Sequence, residues 1–474
     1  MSILQHYGRL AALALPLTLS ACHSYLDVEQ ASALATLPET PHSFALDGRL
    51  DAAAPVAHWW QQLQDEALDT LITQALAHNK GLDIAQASLE ESRALLRQAG
   101  AERLPTLDAS VGTQRDKLPA AINPLRPSTI MQTYDAGLET TWELDLFTGR
   151  LGNAVRAGRA TVDQRQAALH AVQVSVAAEV ADAYISLRGN QYLLDVARRN
   201  AQIQRQTFEL TQTLNDIGQG DLFDVSRAQA QLALTEARIP ALDAALHVAL
   251  NRLGVLSGQG SEPLRSLLDT VQSLPSLPAS VAVGDPQELL RRRPDIRAAE
   301  AALRGAAAQY NIAVADLYPR IVFNGSLGFL ATDWSDLGRD DSDVFSFAPS
   351  LQWGGLNQAR AQARIAAADA RTQGQVAAFE QQVLLALEET GNALQRFSRE
   401  EERRLKLFEA AQASAQAADY ARQRFDVGSS DFLSVLDAQR SQLDVDAQLA
   451  ESETQLLLNL VAVYRSLGGG WQIR

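Results

Sequence analysis

Four stretches of the chain alternate between apolar and polar residues, two in each half, and they begin at Leu107, Tyr134, Phe323 and Phe345. A period of two predicts β-strands with one apolar and one polar face. Asp135, Glu139 and Glu143 share a polar face, which suits a wet lumen with lipid on the other side. If only the alternation is considered, a half-buried sheet of a soluble protein explains it equally well. Pro349 lacks a backbone N–H and points to an irregularity in the fourth stretch.

Most of the remaining chain is predicted to be helical, because Ala, Leu, Gln, Glu and Arg dominate it. Two runs without proline, Leu151–Ile217 and Leu356–Val427, end at Gly218 and Gly428, as helix C-caps do. At about 1.5 Å per residue, each run would be on the order of 100 Å long, which favours a coiled coil. Four shorter helical runs accompany them: Asp65–Arg103, Asp221–Leu256, Asp285–Leu317 and Phe432–Leu467.

The chain also repeats itself. Five residues recur 210 positions later in the same order: Gly218, Asp221, Val225, Ala228 and Gln229 match Gly428, Asp431, Val435, Ala438 and Gln439. We therefore divide the chain into a signal peptide (1–21), an N-terminal tether (22–58), a first repeat (59–257), a connector (258–285), a second repeat (286–467) and a C-terminal tail (468–474). The β-hairpins are expected at about 104–147 and 319–355.

Four strands cannot close a barrel, and an open sheet edge is excluded from lipid because its backbone groups would stay unpaired. Three copies would supply twelve strands, an even number within the range of such barrels. Closure therefore predicts a homotrimer. Tryptophans near the strand ends also favour a membrane setting, as in aromatic girdles: Trp142, Trp334 and Trp353.

The N-terminus has the form of a secretory signal. A short apolar run, Leu10–Ala21, follows Arg9 and ends at the only cysteine, Cys22. The run is too short to span a membrane, and small residues before a cysteine resemble the lipobox of bacterial lipoproteins. We expect a covalent lipid on Cys22 and no other cofactor. His23 favours the outer membrane by the same resemblance, and an ordinary signal peptide with an incidental cysteine is the alternative.

Charge and motif content exclude several function classes. The net charge is −15 and the 41 Lys and Arg residues are dispersed, so no nucleic-acid partner is expected. The seven histidines show no metal-ligand spacing, and neither a nucleophile elbow nor a phosphate-binding loop occurs. We therefore predict no catalytic residue, no metal site and no enzyme. Arg291–Arg293 fit an anionic-lipid site or, more simply, a solvated helix start. The acidic loop 333–343 either binds cations or is solvated.

Several motifs follow one another between about Trp59 and Tyr464. The most specific is Arg293-Pro294-Asp295-Ile296-Arg297-Ala298-Ala299-Glu300, with Tyr318-Pro319 after it. The others are Trp59-Trp60, Ala75-Leu76 with Asn79, Trp142-Glu143-Leu144-Asp145-Leu146-Phe147, Val427-Gly428, and Val435-Leu436-Asp437-Ala438-Gln439. In these motifs the chain resembles the outer-membrane efflux protein family, the TolC-like channels. Within that family it resembles the NodT-type lipoprotein branch of resistance-nodulation-division efflux systems.

The resemblance implies a mainly α-helical fold with a membrane β domain. Three internally duplicated chains, with four strands each, would form a 12-stranded β-barrel continuous with a long periplasmic coiled-coil barrel. Asp224 and Asp437 would narrow the periplasmic end of the pore, although some relatives have a further aspartate where this chain has Ser434. The helical turns at Gly218–Asp221 and Gly428–Asp431 would dock a periplasmic adaptor protein. Helix N-capping explains Asp221 and Asp431 equally well, and Asp437 also fits a solvated helix surface.

These expectations combine into one functional hypothesis. The chain would be a passive outer-membrane channel, anchored by lipid and extending into the periplasm. It would conduct small molecules from an adaptor and an inner-membrane pump, of the resistance-nodulation-division type, to the exterior. The alternative is a structural lipoprotein scaffold in the outer membrane that does not conduct. Alternating strands with acidic faces argue against a scaffold, which has no use for them.

Overall fold

The computed structural model describes residues 24–37, 48–54, 56–119, 129–146, 148–354 and 357–471. Cys22 therefore lies outside the described residues. The chain splits into two compact units. Unit 1 takes its described residues from 24–36, 89–165 and 299–380, and unit 2 takes them from 37–88, 166–298 and 381–471. Each unit thus combines segments from both predicted repeats.

The helices are named in chain order: α1 (Glu66–His78), α2 (Lys80–Ala101), α3 (Arg150–Asp216), α4 (Leu222–Glu236), α5 (Arg238–Leu256), α6 (Glu262–Leu268), α7 (Pro286–Arg292), α8 (Pro294–Ala315), α9 (Gln358–Asp426) and α10 (Phe432–Ser466). The strands are β1 (Leu50–Asp51), β2 (Thr106–Leu118), β3 (Thr129–Leu144), β4 (Val281–Ala282), β5 (Arg320–Ala331) and β6 (Asp343–Gln352). Short 3-10 helices cover Ala31–Leu34, Trp59–Leu63 and Trp334–Asp336.

The two long helices are confirmed: α3 has 67 residues and α9 has 69. Three of the four shorter runs are interrupted, whereas the last forms the single helix α10. The first run breaks at Asn79, whose side chain accepts the N–H of Gly81 and donates to the carbonyl of Leu256. Another breaks at Arg293, which is extended because the following proline disfavours helical geometry in the preceding residue.

Two short strands were missed by the sequence analysis. β1 lies in the predicted tether and β4 lies in the predicted connector, and they pair in parallel within unit 2. A two-residue strand has too little alternation to be detected from its sequence. The connector also contains the helix α6.

The four predicted strands are confirmed as one antiparallel sheet in unit 1, in the order β2-β3-β5-β6. Its register keeps apolar residues opposite apolar ones, as in the row Ala109, Leu138, Leu327 and Phe345. The predicted irregularity at Pro349 is wrong. The β5–β6 register runs without a break from Arg320 opposite Gln352 to Phe329 opposite Asp343, and Pro349 is tolerated on an edge strand.

A short segment after β3 leads into the 67-residue helix α3, which begins at Arg150. Asp145 accepts hydrogen bonds from the backbone N–H groups of Arg150, Leu151 and Gly152 and from the Thr148 hydroxyl. Desolvation alone would raise the pKa of Asp145, but these hydrogen bonds hold it below its ordinary value. A carboxylate at this position satisfies free N–H groups and complements the helix dipole.

Tryptophan side chains fix the junction between helix and strand in the same way in both halves of the chain. The Trp142 indole donates to the carbonyl of Arg103 at 3.1 Å, and the Trp353 indole donates to the carbonyl of Leu317 at 2.9 Å. Each carbonyl belongs to the segment just after a helix, α2 or α8. These bonds are consistent with internal duplication, because the same contact recurs at corresponding places.

In unit 2, the side chain of Arg293 joins three helices. Only 7% of the residue is exposed. Its guanidinium makes two hydrogen bonds to Asp295, one to Glu389 at 2.7 Å and one to the carbonyl of Ser466 at 2.7 Å. Burial would raise the pKa of Asp295, but Arg293 holds it below its ordinary value. The expectation of a solvated helix start is therefore wrong for Arg293.

We expect Arg293→Gln to destabilise the protein by about 2–4 kcal/mol. This is somewhat below the range of about 3–5 kcal/mol for breaking a buried ion pair, because Asp295 and Glu389 keep some contact with solvent. Denaturant titration of the detergent-purified protein measures the loss. Arg291→Gln is the matched control, because Arg291 is exposed and carries the same charge. Equal effects of both substitutions would show that the Arg293 contacts contribute nothing.

Candidate functional site

One face of the sheet is apolar and exposed. Phe345 is 77% exposed and Phe347 is 70% exposed. Other large side chains of this face are also exposed: Leu107, Val111, Leu138, Leu327 and Leu351. A soluble protein would cover such a continuous apolar surface. Lipid is the environment in which an exposed apolar sheet face is stable.

The opposite face is polar and acidic. Asp108 lies opposite Glu139, and the same row continues through Ser326 and Ser346. Like charges directly opposite each other are unfavourable unless water or a counter-charge surrounds them. At the end of β3, Glu143 is neutralised by two hydrogen bonds from Arg150, at 2.9 and 2.7 Å. This face therefore suits contact with water.

The two edges of the sheet each have a free side. β2 pairs only with β3 and β6 pairs only with β5, among the residues that the structure describes. Each outer strand therefore leaves about half of its backbone N–H and C=O groups without a partner strand within the described part of the chain. Such edges cannot be stable in lipid until another strand pairs with them.

The two helical turns predicted from the repeat have the same geometry. Gly218 ends α3 with φ of +72°, and Gly428 ends α9 with φ of +71°. In both turns the N–H of the next residue returns to the helix at 2.8 Å, from Gln219 to the carbonyl of Leu214 and from Ser429 to that of Arg424. This is the Schellman motif, in which glycine adopts the left-handed conformation without strain.

Asp221 and Asp431 cap the helices that follow these turns. Asp221 accepts the N–H of Phe223, and Asp431 accepts the N–H and the hydroxyl of Ser434. The hydrogen bonds from Ser434 hold the pKa of Asp431 below its ordinary value. Both residues therefore act as helix N-caps. This role neither requires nor excludes contact with an adaptor protein.

Asp224 and Asp437 lie in unit 2, in the helices that begin at these caps. Asp224 is in the first turn of α4 and is partly buried, whereas Asp437 is an exposed residue of α10. Within the described residues, neither Asp224 nor Asp437 forms an ion pair. Large apolar side chains around the two turns are exposed: Ile217, Leu222, Phe223 and Val427. The turns therefore present apolar surface beside carboxylates.

The acidic loop between β5 and β6 is described completely. Arg339 pairs with Asp336 at 2.8 Å, and the described residues of the chain contain no group of three acidic, histidine or cysteine side chains that could hold a metal ion. Most residues of the loop are exposed, and the ion pair between Arg339 and Asp336 lies within it.

The N-terminal segment makes contacts that the sequence did not predict. The Tyr25 hydroxyl donates to the carbonyl of Thr148 at 2.8 Å. Leu26 exchanges two hydrogen bonds, both 2.8 Å, with the side-chain amide of Asn311, which is 2% exposed. A buried asparagine within a helical run is the only sequence signal of this docking, and that signal is weak. The segment 24–36 is therefore attached to unit 1.

Long helices together with a sheet that is apolar on one face, acidic on the other and open at both edges define the subunit of an outer-membrane channel. The family model for outer membrane efflux protein matches residues 71–259 and 286–469. Outer membrane protein OprJ of Pseudomonas aeruginosa is 30% identical over 468 residues, which cover 97% of this chain and 95% of OprJ. The solvent efflux pump outer membrane protein SrpC of Pseudomonas putida is 31% identical, over 86% of this chain and 87% of SrpC.

A solved structure of the outer-membrane channel OprN is similar in fold. Its TM-score is 0.87 and its sequence identity is 37%, over 95% of this chain and 100% of that structure. The chain belongs to the outer membrane efflux protein family. It is an outer-membrane channel protein of an efflux system, and its fold is that of the TolC-like channels. The resemblance to this family that was drawn from the sequence motifs is confirmed.

We expect Phe347→Arg to weaken folding into lipid vesicles by about 2–4 kcal/mol per chain, because it places a charge on the face that contacts hydrocarbon. Urea titration of the folded fraction measures this loss. Ser346→Arg is the matched control on the same strand, and it should cost less than about 1 kcal/mol because its side chain faces water. Equal costs for the two substitutions would contradict the assignment of the faces.

Proposed function

We propose that three copies of the chain join β2 of one copy to β6 of the next and form a closed barrel of twelve strands. The single observation that carries this proposal is the sheet with two open edges and one exposed apolar face. Closure pairs the backbone groups of both edges, and an even count of twelve strands lies within the range of known barrels. The acidic face then lines a water-filled pore, through which small molecules leave the cell passively.

We further propose that Asp224 and Asp437 form the periplasmic constriction. Three copies of each carboxylate around a narrow axis would favour cations and would repel one another in the closed state. Ser434 carries no charge, so the ring would be less acidic than in relatives with an aspartate there.

The apolar surface of the turns around Gly218–Asp221 and Gly428–Asp431 supports docking of a periplasmic adaptor protein. The adaptor would connect the channel to an inner-membrane pump of the resistance-nodulation-division type, which supplies the energy. In this proposal Asp224 and Asp437 serve conduction and the two helical turns serve docking. We propose no catalysis by the chain itself.

We also propose a covalent lipid on Cys22, which lies outside the described residues. Tyr25 is held at Thr148, four residues beyond the last residue of β3. Three residues can span at most about 10 Å, so an acyl chain on Cys22 would start within that distance of Tyr25 and therefore near the end of the sheet. Lipid there would add to the anchoring by the barrel. Mass spectrometry of the mature N-terminal peptide tests this proposal, with Cys22→Ser as the unmodified reference.

Detergent-purified protein should have the mass of three chains by native mass spectrometry, and it should carry ion current in planar lipid bilayers. A lone subunit without current in any lipid would overturn the trimeric channel. A trimer without current would instead favour the structural scaffold, so the two measurements separate the two functions.

Asp437→Ala should lower the conductance for cations or weaken block by multivalent cations in planar bilayers, because three negative charges leave the constriction. Asp216→Ala is the control: it removes the same charge at the end of α3, outside the proposed ring. Traces that match the unmodified channel, with and without cations, would count against the role of Asp437.

A further inference from the structure

Unit 2 contains a cavity of about 540 Å³ that the channel function does not use. Its wall is formed by α3, α9, α10 and the connector residues 271–275 and 277. Volumes of about 300–1,000 Å³ are typical of small-molecule sites. The apolar part of the wall includes Leu274, Pro275 and Leu457, and the polar part includes Tyr192, Arg404 and Glu453.

Arg404 is a cationic residue of the cavity wall, and one of its N–H donors has no acceptor. Its Nε is buried and has no hydrogen-bond partner within the described part of the chain. A buried N–H of a guanidinium without an acceptor is unfavourable, because it has lost water and gained nothing in return. A carboxylate on a ligand matches the planar fork of arginine and would pair with the guanidinium of Arg404 where this residue lines the cavity.

Glu453 is a carboxylate in the same wall, and it would be stabilised by a positive charge. Desolvation raises the pKa of its carboxyl group, and the charge of Arg404 only partly opposes this effect. Desolvation, with the charge of Glu453 next, likewise raises the pKa of Tyr192. The other carboxylate of the wall, Asp195, already has a partner in Arg199 at 3.2 Å. Glu453 is therefore the carboxylate that would gain most from a cationic group.

The connector wall is held in place before any ligand arrives. Arg188 is fully buried and donates to the carbonyl of Thr270 at 2.7 Å and to the side chain of Gln272 at 3.2 Å. The N–H of Ser276 bonds the carbonyl of Leu63 at 3.2 Å. A wall that is already ordered costs little entropy when a ligand binds.

We propose that this cavity binds an amphiphilic zwitterion, a molecule with a carboxylate, an ammonium group and an apolar body. The carboxylate pairs with Arg404 and the ammonium pairs with Glu453. The apolar body lies against Leu274, Pro275 and Leu457. A purely anionic ligand would be repelled by Glu453, and a purely cationic one would be repelled by Arg404.

The test is calorimetric titration of the full chain, purified in detergent, with the dipeptide leucyl-phenylalanine as the probe. Arg404→Gln and Glu453→Gln should each weaken binding at least tenfold. Arg403→Gln is the matched control: Arg403 pairs with Glu400 at 3.0 Å and is outside the cavity wall. It should leave the affinity unchanged.

A second comparison uses the unmodified protein and therefore does not depend on the folding of any variant. N-acetyl-leucyl-phenylalanine amide has the same apolar body without either charge, and it should bind at least tenfold more weakly. Equal binding of the two peptides, full affinity in Arg404→Gln, or no binding of the zwitterion would overturn the proposal. None of these results depends on conductance, so a failure here leaves the channel function untouched.

Discussion

Backbone hydrogen bonding in lipid is the constraint on which the rest of this protein depends. Hydrocarbon offers no partner to an N–H or C=O group, so a sheet in the membrane must have every strand paired. The outer strands β2 and β6 each have one neighbour, and the apolar face between them is exposed. Within the described residues, the sheet of one chain therefore leaves backbone groups of β2 and β6 unpaired in a membrane, and this is the reason for proposing that three chains share one barrel.

The ends of the long helices meet a related requirement in water. Each helix end leaves four backbone groups without an intrahelical partner. At the start of α3 these groups are satisfied by Asp145, and at the far ends of α3 and α9 they are satisfied by Schellman turns at Gly218 and Gly428. Both turns have the same Schellman geometry and each is followed by a capping aspartate, which is consistent with duplication of one sequence unit.

Two buried arginines in unit 2, Arg293 and Arg188, have roles that sequence motifs alone do not reveal. The Arg-Pro-Asp motif is conspicuous in the sequence, but its role follows from contacts 96 and 173 residues away, with Glu389 and Ser466. Arg188 is equally buried and holds the connector through carbonyl groups, without a direct carboxylate partner within the described residues. Both arginines are fixed by groups that no local pattern brings together.

The sequence by itself determined the long helices, their glycine turns, the four strands and the faces of those strands, because periodicity and capping are local properties of neighbouring residues. Only the tertiary structure decided the pairing of β1 with β4, the burial of Arg293, the docking of Tyr25 and Leu26, and the unbroken register past Pro349. These features depend on partners distant in the chain, whose positions are set by packing and not by spacing.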